Sequence, residues 1–270
     1  MPTILITGAA GRIGTMLRSQ LARPGRVLRL LDIAPLAQPP GPGEDAVTAS
    51  VTDMAAITAA CTGADAVIHL GGIPTEDAWA PILDVNINGT YTIFEAARRA
   101  GVPRVVFASS NHAVGFAPRE SFPVPDGGAP APDTYYGVSK VAGEALAALY
   151  ARRYGVEAIC VRILSCFDRP QNPRMLATWL SPDDAGRLFE ACLTAPAPGF
   201  RVIYGVSANT RGGWVSLDGA RALGYEPRDD AERFAAEVLA AGEPDPADPV
   251  FRYLGGEFTL PSRDAPVPPG

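Results

Sequence analysis

The run "TILITGAAGRIG", residues 3 to 14, joins a short strand pattern directly to three glycines, with an apolar stripe of Ile13, Leu17 and Leu21 at helical spacing behind them. A strand that turns this abruptly into a helix commits the chain to a βα unit. Gly8 allows the tight turn, Gly11 lets the backbone approach a pyrophosphate, and Gly14 lets helix and strand pack closely, while the helix N-terminus stabilises the anion. The second strand pattern, "RVLRLLD", ends at Asp32. A carboxylate there accepts hydrogen bonds from the adenosine ribose hydroxyls and repels a 2′-phosphate, so the expected cofactor is NAD rather than NADP. Arg12, inside the loop, is the one group that could instead meet a 2′-phosphate.

The same alternation continues along the chain. "AVIHLGG", "RVVFASS" and "EAICVRI" read as buried strands between amphipathic segments such as "NINGTYTIFEAARRAG" and "SKVAGEALAALYARRYG". Such an order predicts an α/β fold, a Rossmann-type doubly wound parallel sheet. At 270 residues the chain fits one large domain. After about residue 165 the pattern loosens, with one more strand-like run, "FRVIYGVS", and a proline-rich tail. Residues 1–165 are therefore expected to form the NAD-binding region, and 166–270 a small C-terminal substrate-binding cap integrated into the same domain.

A composition of 47% hydrophobic and 19% charged residues with net charge -6 lacks the basic footprint of a nucleic-acid binder. No apolar run approaches membrane-spanning length and the start lacks a signal-peptide pattern, so a cytoplasmic location with no membrane partner is expected. Cys61, Cys160, Cys166 and Cys192 lack metal-ligand spacing and read as buried thiols. With two histidines, His69 and His112, neither zinc chemistry nor a Ser-His-Asp hydrolase is indicated.

Chemistry is concentrated in "TYYGVSK", residues 134 to 140. Only residues three or four apart share a helix face, so Tyr136 and Lys140 can point into one pocket while Tyr135 is rotated away. A nearby ammonium favours the phenolate and is expected to lower the tyrosine pKa. Ser110 closes the strand "RVVFASS" at the carboxyl edge of the sheet, where open α/β folds bind ligands. Its hydroxyl can donate to a substrate oxygen held against Tyr136, with Ser109 packed inward.

"TGAAGRIG", Asp32, "HLGG", "VNINGT", "FASS" and "YGVSK", in this order, make the chain resemble the extended short-chain dehydrogenase/reductase superfamily over roughly its first 165 residues. "IHLGGIPTED", "FASSNHAVG", "VRILSC", "NPRMLATWLSPDD", "YGVSANTRGGWVS" and "LGGEF" extend the likeness, over nearly the whole chain, to the bacterial uronate dehydrogenases. The resemblance implies NAD-dependent oxidation of D-glucuronate and D-galacturonate at C1 to the aldarolactone. It puts the general base at Tyr136, with Ser110 and Lys140 as catalytic partners and Lys140 also holding the nicotinamide ribose. It implies that Gly8, Gly11, Arg12, Ile13, Gly14, Asp32, Ser50, Val51, Leu70 and Gly71 line the cofactor cleft together with Tyr136 and Lys140.

On the substrate side, the resemblance matches Arg174 to an arginine that forks onto the uronate carboxylate, a planar bidentate task. It matches Asn111 and His112 to positions that bond sugar hydroxyls and Ser165 to a substrate-side position, and makes Phe258 a candidate to close over the sugar. Two departures stand out. Ser50-Val51 replaces a common Asp-Leu pair facing the adenine, and Pro74 then Thr75 replaces a serine, leaving Thr75 to supply that hydroxyl. Asn86 falls on the helix beneath the site, and association through sheet-face helices makes a homo-oligomer the matching expectation. Two other readings share these motifs: an NAD-dependent nucleotide-sugar epimerase or dehydratase, and a non-catalytic NAD-binding regulator.

Overall fold

The computed structural model describes residues 1–240, 242–245 and 247–261; the end of the expected proline-rich tail lies outside them. Strands β1 (Thr3–Thr7), β2 (Val27–Asp32), β3 (Glu44–Thr48), β4 (Ala66–His69), β5 (Arg104–Ser110) and β6 (Glu157–Ile163) alternate with helices α1 (Arg12–Leu21) and α2 (Met54–Cys61). Between β4 and β5 a single turn, α3 (Trp79–Pro81), runs through a π-helical segment (Ile82–Asn88) into α4 (Gly89–Ala100), and α5 (Tyr135–Tyr154) precedes β6. Beyond β6 come β7 (Ser165–Cys166), α6 (Met175–Thr178), β8 (Trp179–Leu180), α7 (Pro182–Thr194), β9 (Phe200–Gly205), α8 (Asp218–Ala222) and α9 (Ala235–Val238).

The main sheet runs β3-β2-β1-β4-β5-β6-β9 and is parallel throughout. Its order reverses between β1 and β4, which opens the crevice where such sheets bind ligands. Successive residues alternate between two cores: Ile4 and Ile6 face one with Leu17 and Leu188, while Leu5 faces the other with Ile57 and Phe94. Helices on both faces explain why these strands read as unbroken apolar runs. Among the described residues no helix is long and apolar enough to cross a membrane, and all four cysteines are free and buried.

The stretch after residue 165 does more than cap. Its β9 is the seventh strand, paired with β6 from Ala158↔Phe200 to Ile163↔Gly205, and the α7 residues Leu188 and Phe189 share the core of α1. The covering part is the remainder: the β7–β8 ladder and a C-terminal segment that folds back, where Leu254 N donates to Ala117 O and Gly255 N to Gly115 O.

Candidate active site

Backbone geometry builds the cofactor end. Gly8 has φ +71°, and a Cβ there would stand 2.7 Å from Gly71 N, so the β1 and β4 ends approach to a distance that excludes side chains. A Cβ on Gly14 would lie 2.3 Å from Gly8 O, whereas one on Gly11 would meet only Gly8 O at 3.2 Å. The turn and the helix contact are filled by protein, and the Gly11 surface stays open. Asp32 accepts from Ala10 N at 2.9 Å and from Ala34 N at 3.0 Å, tying the glycine loop to the end of β2. This open backbone cradle, with a carboxylate at its edge, fits a dinucleotide.

Ile13 is half-buried and packs on the α1 core. Val51 is buried against the positions where Gly71 and Gly89 leave room, and half-buried Leu70 also packs on the core. Ser50 Oγ is held by Thr52 Oγ1 at 2.8 Å. Arg12 stacks over the Phe167 ring at 3.9 Å, a partner on the segment following β7.

The chemical centre forms where α5 crosses β5. Thr134 caps α5 through Gly137 N, and a Cβ on Gly143 would lie 2.4 Å from Phe107 Cζ, so the helix lies flush against the strand. That contact carries Tyr136 and Lys140 to the end of β5, where Ser110 sits. Tyr136 is 9% exposed and Tyr135 45%, as the helix-face argument requires. Ser109 turns inward and donates to Glu144 Oε1 at 2.6 Å; that carboxylate also accepts two bonds from Arg162, both at 2.8 Å.

Electrostatics correct one expectation. Burial pushes the Tyr136 phenol up to about 12, assisted by the negative Asp133, while the hydrogen bond with Ser110 opposes the rise. Lys140 does not reverse this. Its Nζ donates to Ala108 O at 2.8 Å and lies 5.2 Å from the Tyr136 ring centroid. Burial also brings Lys140 itself down to about 8, with Glu144 opposing. Desolvation, which penalises the charged form of either group, outweighs the attraction between them.

At the substrate end, Asn111 is buried and its Nδ2 donates to Leu254 O at 3.3 Å. Arg174 Nη2 donates to the same carbonyl, so the arginine converges on the neighbour of Ser110. Arg174 Nε is buried and finds no partner among the described residues, and the guanidinium lies 5.5 Å from the Trp214 ring centroid. Burial lowers its pKa to about 10, against the attraction of Asp133 and Glu257. A Cβ on Gly256 would lie 2.8 Å from that Nε, so the C-terminal segment needs glycine where it passes the arginine. His112 stacks on Phe258 with ring centroids 4.0 Å apart and meets the edge of Tyr136 at 5.8 Å.

Not every candidate joins this cluster equally. Ser165 is buried with its hydroxyl on Thr178 Oγ1 at 2.9 Å, and Thr178 donates in turn to Arg174 O at 3.2 Å, so Ser165 braces the arginine's backbone. Thr75 is exposed on the loop after β4. Asn86, in the π-helical segment, accepts from Ile73 N at 2.7 Å and donates to Ile73 O at 3.0 Å and Ser139 Oγ at 3.2 Å, fastening that loop to α5. Two residues were missed from the sequence. Glu76 accepts from Tyr135 N at 3.1 Å and Tyr136 N at 2.8 Å, and Asp133 pairs with His112 Nδ1 at 2.7 Å. A carboxylate beside the α5 start was the available signal for Asp133; Glu76 reaches that helix from 59 residues away and had no local signal. Among the described residues no cluster of His, Cys, Asp and Glu could hold a metal.

A dinucleotide cradle at the switch point of a parallel sheet, with a Ser-Tyr-Lys set at its mouth, defines the class of NAD-binding α/β oxidoreductases. The profile of the NAD dependent epimerase/dehydratase family matches residues 4–180, and the chain belongs to that family. It is 46% identical to the uronate dehydrogenase of Pseudomonas putida, over 95% of each chain. A tyrosine-to-alanine variant of uronate dehydrogenase from Agrobacterium tumefaciens, complexed with NAD, superimposes with TM-score 0.90 at 43% identity, covering 96% of this chain and 97% of that one. A glucuronic acid dehydrogenase from Chromohalobacter salexigens gives TM-score 0.90 at 42% identity, over 96% of both chains. The enzyme is an NAD-dependent oxidoreductase with a Rossmann-type fold.

Proposed function

We propose that the protein is an NAD-dependent uronate dehydrogenase that oxidises hexuronic acids, D-glucuronate and D-galacturonate, at C1 to the aldarolactone. The observation that carries this reading is the half-buried Arg174, whose Nη2 donates to the Leu254 carbonyl that Asn111 also meets, while its Nε has no partner among the described residues. A guanidinium with N–H donors beyond the one spent on Leu254 O is suited to the planar, charge-assisted recognition of a carboxylate. Likeness to enzymes named for uronate and glucuronic acid supports the same substrate class.

NAD, when bound, supplies the hydride acceptor. Gly8, Gly11 and Gly14 with the α1 N-terminus would hold its pyrophosphate, and Asp32 the adenosine ribose, with Ile13, Val51, Leu70 and Gly71 lining the cleft. Ser110 Oγ donates to the C1 hydroxyl oxygen and sets it against Tyr136. The Tyr136 oxygen, in its phenolate form, takes that hydroxyl's proton as hydride leaves C1, so both hydrogens lost from the carbon and its oxygen are accounted for. Lys140, anchored by Ala108 O, would offer its remaining N–H groups to the nicotinamide ribose. Arg174 fixes the carboxylate, Asn111 and His112 meet ring hydroxyls, Thr75 on the loop after β4 offers a further hydroxyl, and Phe258 closes over the sugar.

Mixing the protein with NAD and D-glucuronate or D-galacturonate should accumulate free NADH, read by its absorbance, with far slower change on galactose or glucose. Turnover on nucleotide sugars without NADH accumulation would replace this reading with an epimerase. The buried thiols fit a reducing compartment, and we assign the protein to the cytoplasm. Exposed Tyr91, Val138, Leu149 and Tyr154 on α4 and α5 support a homo-oligomer, which a monomeric sedimentation profile would overturn.

A further inference from the structure

Asp133 has a fully buried carboxylate held in a pocket made by glycines from three separate segments. A Cβ would lie 1.9 Å from its Oδ2 if placed on Gly115 and 2.0 Å if placed on Gly255, and one on Gly137 would lie 3.1 Å from its Oδ1. Those segments are the loop after β5, the C-terminal strap and the start of α5. They also carry His112, Phe258 and Tyr136. Oδ1 accepts from Thr134 Oγ1 at 3.0 Å, which ties the carboxylate to the α5 cap, and Oδ2 pairs with His112 Nδ1 at 2.7 Å. The His112 ring is further held by the Phe258 stack and the Tyr136 edge.

A carboxylate can only accept, so His112 Nδ1 must carry the proton of this bond. We propose that Asp133 is a positioning residue that locks His112 in the Nδ1–H tautomer, leaving Nε2 as a hydrogen-bond acceptor for a sugar hydroxyl. The inference rests on the uronate reading of the pocket. It assigns His112 the role of accepting from a sugar hydroxyl, which has a proton to give.

The molecule contains its own reference. The second histidine, His69, has Nδ1 on Thr7 Oγ1 at 2.8 Å and Nε2 on Thr90 Oγ1 at 3.2 Å. Thr90 donates its hydroxyl proton to Asn86 O at 2.6 Å, so it must accept from His69, which makes that ring the Nε2–H tautomer. Two histidines of opposite tautomer should therefore give two distinct long-range ¹H–¹⁵N patterns in histidine-labelled protein at alkaline pH. The expected result is Nδ1–H for His112 and Nε2–H for His69. Asp133→Asn should shift the His112 pattern toward a tautomer mixture, and raise KM for glucuronate by roughly 3–10-fold, one hydrogen bond's worth. Its kcat should change less, and the affinity for NAD should hold. His112→Gln, which retains an acceptor oxygen, should keep part of the wild-type KM.

An Nε2–H pattern for His112 in the wild type overturns the proposal without any variant having to fold. So does a folded Asp133→Asn protein with wild-type KM, or one whose kcat falls while KM stays. Absence of uronate turnover by the wild type would instead refute the uronate reading, since the tautomer measurement needs no substrate.

Discussion

The two ends of the active-site cleft solve different problems. At the cofactor end Asp32 has both carboxylate oxygens bonded to backbone N–H groups, and the Thr7–His69–Thr90 chain ends on Asn86 O. At the substrate end Arg174 keeps a buried Nε without a partner and burial pulls its pKa down to about 10. Burial holds the Lys140 ammonium between them down to about 8. The side chains of the first end are paired before any ligand arrives. The second holds groups whose charge costs stability, an arrangement suited to a site that completes its bonding with substrate. Damage at the cofactor end should therefore spread to every substrate, and damage at the substrate end should discriminate among them.

The sharpest break is at the junction. Tyr136→Phe should lower turnover by ~10⁴-fold or more on every sugar, the upper range for a lone acid-base group, with NAD affinity nearly unchanged in a fluorescence titration. Tyr135→Phe, on the exposed face, should remain active. Reversed phenotypes would undo the helix-face assignment. Next in size, Arg174→Ala should reduce kcat/KM for glucuronate by about 30- to 5,000-fold, the cost of about 2–5 kcal/mol for truncating a buried charge pair. Galactose, already poor, should barely change. Arg174→Lys should rescue part of the loss, keeping charge but not the planar fork.

At the cofactor end, Asp32→Ala should narrow or invert the preference for NAD over NADP, by about tenfold or more, with both uronates affected alike. Specificity constants for the two cofactors decide it, and a wild type that prefers NADP would reassign the ribose site to Arg12. A further effect is in pH. Because burial raises the Tyr136 pKa to about 12, the proton-accepting form becomes more populated as pH rises. The kcat/KM should climb through the alkaline range by up to ~tenfold per unit. A flat or falling profile would mean that Tyr136 is not the titrating base.

The glycine turn after β1 and the acid ending β2 were largely legible in the sequence because glycine spacing and a strand-ending acid are local features. Gly8, Gly14 and Asp32 work within two consecutive βα units, and the one-turn spacing of Tyr136 and Lys140 decided which tyrosine is buried. The pKa of that tyrosine was not legible. A helix face predicts which groups meet, but the depth at which Gly143 seats α5 on Phe107 decides whether attraction or desolvation prevails. Asp133 escaped notice because its pocket is assembled from Gly115, Gly137 and Gly255, and the last of these is distant along the chain. Likewise "FRVIYGVS" showed strand character, yet only pairing with β6 revealed that the chain returns to the sheet after starting to cover it.

Equilibrium binding to the Tyr136→Phe protein in the presence of NAD tests the contrast between the two ends most directly, because no turnover obscures recognition. Calorimetry should show glucuronate binding at least ~30-fold tighter than galactose, and adding Arg174→Ala should erase that difference while leaving NAD binding intact. Equal affinity for the acid and the neutral sugar in the Tyr136→Phe protein would contradict the claim that the Arg174 guanidinium at the substrate end reads the carboxylate.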